Sequence, residues 1–360
     1  MMLAPVALTA VLGLLAAFTP PEVAFTRLLP TAPALAASVW SVGATAVLGL
    51  VCLVAVLAHG LAFSDVSAGY TAGAIGAVTL AAAYASHLRT QREHTLAEVR
   101  AVADTTQEVL LRPVPSRIRG LEIATFYLAA APQARIGGDF YAVADTDHGL
   151  RLVLGDVRGK GLRAVGVTAA ILGSFHEAAY DAPGLAQLAR RLDTAMARYT
   201  ADAPSDDAAE RFATAVIAQF PSAGGSVSIL HCGHPPALLL RGGAIRALEP
   251  DVPSPPINMA ALVGGDYHIG QFPLMDGDLL LLYTDGVTET RDPKGVFFPL
   301  ADWAAQAAAG SPEEFLRLLH RALLDHSEGK LGDDIACVAV RSTPNAKVAD
   351  ERRPAGTRVG

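Results

Sequence analysis

The polarity pattern of the chain changes character twice. Up to residue 88 apolar positions run almost unbroken, at about 3–18, 34–58 and 61–85, with Arg27 the only Lys or Arg and Glu22 and Asp65 the only acids. Each run is near or above the roughly 20 residues that cross a bilayer, so three or four transmembrane helices are predicted over 1–88. Four would need a bend near Ser41-Val42-Gly43, where Trp40 reads either as an interfacial anchor or as packing. The first run lacks the basic start of a signal peptide, and further apolar runs follow it. With no charged residue inside the runs apart from Asp65 between two of them, there is no polar machinery for transport. Arg89 and Arg92 follow the last run closely. Basic flanks stay in the cytoplasm, so the remainder is predicted to be the cytoplasmic part of a multi-pass cell-membrane protein.

A helical linker is expected over 89–118, because Leu96, Val99, Val102, Val109 and Leu110 recur among charged residues before Pro113 and Pro115. Such a helix either pairs with a second copy in a homodimer or packs on its own domain. The period then shortens to two. Strands are predicted at 121–128, 212–220, 226–232, 237–241, 278–283 and 335–341, with a hairpin at 136–161 that turns at Asp145 to Gly149. In its second arm, the alternation of Leu150, Leu152 and Leu154 suits a half-buried strand. Helical periodicity returns at 162–179, 184–199, 300–309 and 312–326, the last with Ser311 as N-cap. Runs of strands with helices in pairs predict an α+β domain over 119–341, its stacked sheets covered by helices. The acidic stretch 202–210 reads as a loop or flap, and 342–360 as a disordered tail.

Chemistry gathers where apolar strands end in acidic turns: Asp139 after Gly138, Asp156 after Gly155, Asp285 before Gly286, and Asp333-Asp334 after Gly332. One such turn only caps a strand. Four suggest converging carboxylates, which repel one another unless cations sit among them, and hard oxygen donors favour two Mg²⁺ or Mn²⁺ ions. Cys52, Cys232 and Cys337 are too scattered and odd in number for a disulfide framework or a four-cysteine zinc site. A net charge of −7 gives no support for a nucleic-acid surface.

The strings IGGDFY, GDVRGKG, CGHPPALLLR, YTDGVTETRD and GDDIACVAVR, in that order, resemble the metal-dependent protein phosphatases (PPM, or type 2C) of the SpoIIE/RsbU-like branch. The likeness implies an α/β/β/α sandwich of two antiparallel sheets, with two Mn²⁺ or Mg²⁺ ions at one end. By motif match Asp139, Asp156, Asp285 and Asp333 would be catalytic metal ligands, joined by the Val157 carbonyl, with Asp334 the second choice for the fourth carboxylate. The family often carries an acid where Ala142 stands and Thr where Ala336 stands; neither change removes a ligand. The substrate class implied is phosphoserine or phosphothreonine on a cytoplasmic regulatory protein such as a STAS-type anti-sigma-factor antagonist. A catalytically weak sensor or scaffold that docks a partner is the alternative.

Other likenesses are weaker. Gly137-Gly138-Asp139-Phe140 lacks the acidic fourth residue of diguanylate cyclases, and Gly155 to Gly161 lacks the Gly-Lys-Ser/Thr ending of a nucleotide loop. His231-Cys232-Gly233-His234 reads as a turn rather than a zinc fragment, Lys160 as exposed, and Arg135 as a solvated side chain rather than a phosphate contact.

Overall fold

The structure, a computed structural model, describes residues 3–19, 25–63, 67–129, 138–159, 161–202, 211–307 and 310–343. Asp65, Arg135, Gly137, Lys160, the 203–210 stretch and the tail beyond Thr343, each read above from the sequence, lie outside them. The chain divides into two compact units, Met1–Ala101 and Val102–Gly360.

The first unit is helical: α1 (Ala4–Phe18), a 3-10 turn at Phe25–Leu28, α2 (Thr31–Ala36), α3 (Val42–Phe63) and α4 (Ala68–Leu110), the last running on past the unit boundary. Among the described residues two stretches are long and apolar enough to cross a membrane, Val42–Phe63 and Ala68–Thr95. That is fewer than the three or four expected. Helix α1 has 15 residues, and at 1.5 Å per residue it falls short of a ~30 Å hydrocarbon core. The 34–58 run breaks after Ala36, close to the considered bend, and leaves α2 too short to cross. Trp40 packs half-buried against the helical core, and its carbonyl accepts bonds from Ser86 Oγ and Arg89 Nη2, both at 2.7 Å. The expected linker helix is the continuation of α4, because no Gly or Pro interrupts the chain between Tyr84 and Leu110.

The second unit holds the strands. Six form one antiparallel sheet in the order β1 (Arg117–Ile118), β2 (Leu121–Leu128), β11 (Ile335–Ser342), β10 (Leu279–Tyr283), β7 (Ala237–Arg241) and β8 (Ala244–Leu248). Five form the other, in the order β3 (Phe140–Thr146), β4 (Gly149–Val157), β5 (Ala213–Phe220), β6 (Ser226–Cys232) and β9 (Gly270–Pro273). Helices α5 (Leu162–Asp181) and α6 (Leu185–Asp202) cover the outer face of the five-stranded sheet, burying Ile171, Phe175, Leu188 and Met196 against Val153 and Ile217. Two single turns, α7 (Ala260–Val263) and α8 (Gly286–Glu289), lie in the connections, and α9 (Leu300–Ala307) and α10 (Pro312–His326) cover the other sheet through Phe315, Leu319 and Leu323. Between the sheets Leu150, Leu152 and Leu154 meet Leu280, Leu282 and Val338. The result is the four-layer α/β/β/α sandwich, each inner sheet buried on both faces.

Strand β4 is thus not half-buried as its alternation suggested. Its outward face carries Arg151, which is fully buried: Nε donates to Gln219 Oε1, and Nη1 donates to the carbonyls of Ala179 and Ala182. The guanidinium satisfies the free carbonyls at the end of α5, where a cation is favoured. Strands β1, β8 and β9 were not expected; they are short edges with little alternation. β1 lies within the stretch read as linker, and Ser342, read as the start of the tail, closes β11. Ser311 does cap α10, accepting from the Glu314 amide at 3.2 Å.

Candidate active site

All five candidate acids lie at strand ends on one edge of the sandwich. Asp139 enters β3, which pairs with β4 so that Phe140 faces Gly155, and Asp156 lies one residue further along β4. The hairpin therefore sets the two carboxylates side by side, within hydrogen-bonding reach. Asp285 follows β10, and Asp333-Asp334 precedes β11, the strand paired with β10. Asp139 and Asp156 thus come from one sheet, and the other three acids from the opposite one.

Their electrostatics show how close they are. Burial, then the Asp156 charge, pushes the Asp139 carboxyl well above the usual range, with Asp334 and Asp285 adding to it. Burial, then Asp285 and Asp333, raises Asp156 to about 7 against the opposing bond with Asp139. Asp285 is raised as well, by desolvation and then by Glu289 and Asp333. Asp139 is only 3% exposed and Asp334 5%, whereas Asp285 and Asp333 lie at the open rim. Both members of the Asp333-Asp334 pair face the cluster electrostatically, and Asp333 Oδ1 accepts the Asp334 amide at 3.0 Å. The two alternatives for the fourth carboxylate therefore remain side by side.

Two glycines make the convergence possible. A Cβ on Gly138 would stand 2.6 Å from Asp156 Oδ1 and would strike the Val157 carbonyl, while one on Gly286 would strike the Asp334 carbonyl. Gly138→Ala is expected to cost about 1–3 kcal/mol of stability by overpacking. Chemical denaturation of the metal-free chain measures this; an unchanged midpoint would show that the hairpin yields there.

Sequence reasoning missed Thr284. Its hydroxyl donates to Asp139 Oδ2 at 2.6 Å and accepts the Ala336 amide at 2.9 Å, while its own amide donates to the Ala336 carbonyl at 3.0 Å. It fixes the deepest carboxylate from the opposite sheet. The available signal was its place immediately before Asp285 in YTDG. His231 and His234 are both engaged within the fold, His231 Nε2 with the Leu248 carbonyl at 2.9 Å. They lie at the passage from β6 to β7, where a turn between two strands was expected.

The donor set fits hard divalent ions: carboxylates beside a backbone carbonyl, buried deeply enough that mutual repulsion raises them. As the side chains stand, no group of three His, Cys, Asp or Glu among the described residues is spaced to hold an ion. Neither Cys232 nor Cys337 offers a ready thiolate, because burial pushes both thiols up.

The model of the family Stage II sporulation protein E (SpoIIE) matches residues 146–343, more than half of the chain. The chain belongs to the SpoIIE family. This is a PP2C-type serine/threonine phosphatase family. The matched span includes Asp156, Val157, Asp285, Asp333 and Asp334 but stops short of Asp139, whose place in the cluster rests on the hairpin register. The phosphoserine phosphatase RsbU of Bacillus subtilis is 24% identical over 267 residues, 72% of this chain and 75% of RsbU. Protein IcfG of Synechocystis sp. is 26% identical over 234 residues, 58% of this chain. The chain spans only about a third of IcfG, 36% of its length. The SiaA-PP2C domain of Pseudomonas aeruginosa shares the fold, with a TM-score of 0.56 at 19% identity over 71% of this chain and 98% of that domain.

Proposed function

We propose that this chain is a membrane-anchored, metal-dependent phosphatase that hydrolyses phosphoserine or phosphothreonine on a cytoplasmic regulatory protein of the anti-sigma-factor-antagonist kind. The observation that carries the reading is the meeting of Asp139 and Asp156 from one sheet with Asp285 and Asp333-Asp334 from the other, close enough to raise one another. Asp139, Asp156, the Val157 carbonyl, Asp285 and Asp333 or Asp334 would hold two Mn²⁺ or Mg²⁺ ions. When bound, such ions neutralise charge on a phosphoryl group and acidify an attacking water. Asp139, held by Thr284, fixes the floor of the site. The exposed Asp285 and Asp333 leave its mouth open to a phosphorylated loop. The substrate class follows the name of RsbU, a phosphoserine phosphatase. Anchoring draws on the two crossing-length helices, whose outer surfaces expose Leu50, Val54, Leu61 and Leu80.

The second reading, a catalytically weak docking module, draws on the absence of a closed ligand group among the described residues. Turnover of a phosphoserine peptide by the full-length chain in detergent micelles separates the two. The phosphatase reading expects hydrolysis with Mn²⁺ that EDTA abolishes. Folded protein without turnover at any Mn²⁺ or Mg²⁺ concentration would support docking instead.

A further inference from the structure

We infer that His234 is a positioning residue that sets the separation between the two halves of the carboxylate cluster, a role that rests on the metal-dependent reading above. His234 stands where the chain passes from β6 in one sheet to β7 in the other, and it is 8% exposed. Its Nε2 lies 3.0 Å from the Tyr283 carbonyl and its Nδ1 3.1 Å from Thr214 Oγ1. A carbonyl only accepts, so Nε2 carries the proton and bare Nδ1 accepts from the threonine hydroxyl. One neutral tautomer satisfies both bonds.

The partners give this bridge its meaning. Thr214 on β5 is the register partner of Asp156 on β4. Tyr283 ends β10, and the next two residues are Thr284, which holds Asp139, and Asp285. A single imidazole thus links the strand beside Asp156 to the strand end that carries Asp285. An apolar side chain of similar size would fill the same space, but it would leave the Tyr283 carbonyl and the Thr214 hydroxyl without this tie, and the two sheet ends free to part. Histidine that merely fills space would matter for stability alone. Histidine that sets spacing matters for ion affinity at constant fold.

The test titrates Mn²⁺ calorimetrically into full-length wild type, His234→Leu, His234→Gln, Thr214→Val and Leu323→Ala, each checked for folding by circular dichroism. Gln places its amide N–H near the position of Nε2, so it restores the bond to the Tyr283 carbonyl. The expected result is a Mn²⁺ dissociation constant raised about tenfold in His234→Leu, the low end for residues that support ligands indirectly. Thr214→Val should raise it severalfold, and His234→Gln should stay near wild type. Leu323→Ala, in the core under α10, should lower the melting temperature and leave the affinity unchanged. Folded His234→Leu that binds Mn²⁺ as tightly as wild type overturns the role. Should His234→Leu fail to fold, unchanged affinity in Thr214→Val overturns it. Wild type that takes up no Mn²⁺ overturns the metal reading itself, and this role falls with it.

Discussion

In EDTA at pH 8, Asp156→Asn is expected to be more stable than the wild-type chain by about 2–4 kcal/mol, although the residue belongs to the candidate site. Asp156 is raised from 3.8 to about 7 by burial and by its acidic neighbours, and each unit is worth about 1.4 kcal/mol. The full shift is an upper bound because the side chain keeps some solvent. The sign follows from linkage. Between pH 4 and 7 the unfolded chain has released this proton while the folded chain retains it, so wild-type stability falls as pH rises through that window and the loss is complete above about 7. The amide is neutral at every pH, and its Oδ1 can still accept from Asp139. The advantage of the variant should therefore be absent near pH 4, grow up to about pH 7 and then level off. His234, held below its ordinary value, tilts stability the other way below about pH 6.5, but it does so in both proteins and cancels in the difference. Excess Mn²⁺ should reverse the order, because only wild type gains binding energy. Denaturant titrations at pH 4.5, 6 and 8, with EDTA and with Mn²⁺, measure this. A variant less stable than wild type in EDTA at pH 8 would remove the case for repulsion at the site.

Turnover should respond in the opposite direction. Asp139→Asn and Asp285→Asn are each expected to lower kcat/KM for a phosphoserine peptide by at least about 1000-fold, since ion-mediated stabilisation of phosphoryl transfer is worth several kcal/mol. Asp139 is the floor of the cluster, clasped by Thr284, and Asp285 is the carboxylate that the other sheet brings to its rim. Asp145→Asn serves as the comparison: Asp145 ion-pairs with Arg119 at the far end of β3, exposed to solvent. It should leave turnover unchanged and stability within about 0.5 kcal/mol. Retention of activity in Asp285→Asn would exclude it from the reaction.

Parts of the fold and of the site were legible in the sequence alone. The hairpin was legible because Leu150, Leu152 and Leu154 alternate and Asp147-His148 sit between two strand patterns. Helix α10 was legible from its periodicity and from Ser311. The burial of both faces of β4 was not, because Arg151 looks like a solvent residue until α5 supplies carbonyls for it. The unbroken α4 was also hidden, since its apolar and charged halves read as separate elements. At the site, the acids announced themselves by type and by neighbouring glycines. The groups that hold them were less legible: Thr284 was marked only by its place before Asp285, and the partners of Thr284 and His234 lie across the sheets, where no local pattern encodes them.

Strand β11 occupies the middle of its sheet, between β2 and β10, although it follows all the other described strands in the chain. Until Ile335–Ser342 has left the ribosome, β2 and β10 each keep an open edge, and Thr284 has no Ala336 to pair with. Open edges of that kind invite pairing with other chains, so the nascent chain passes through a vulnerable interval that ends only when this strand inserts. The acidic cluster is therefore assembled late in synthesis, well after the apolar helices have emerged.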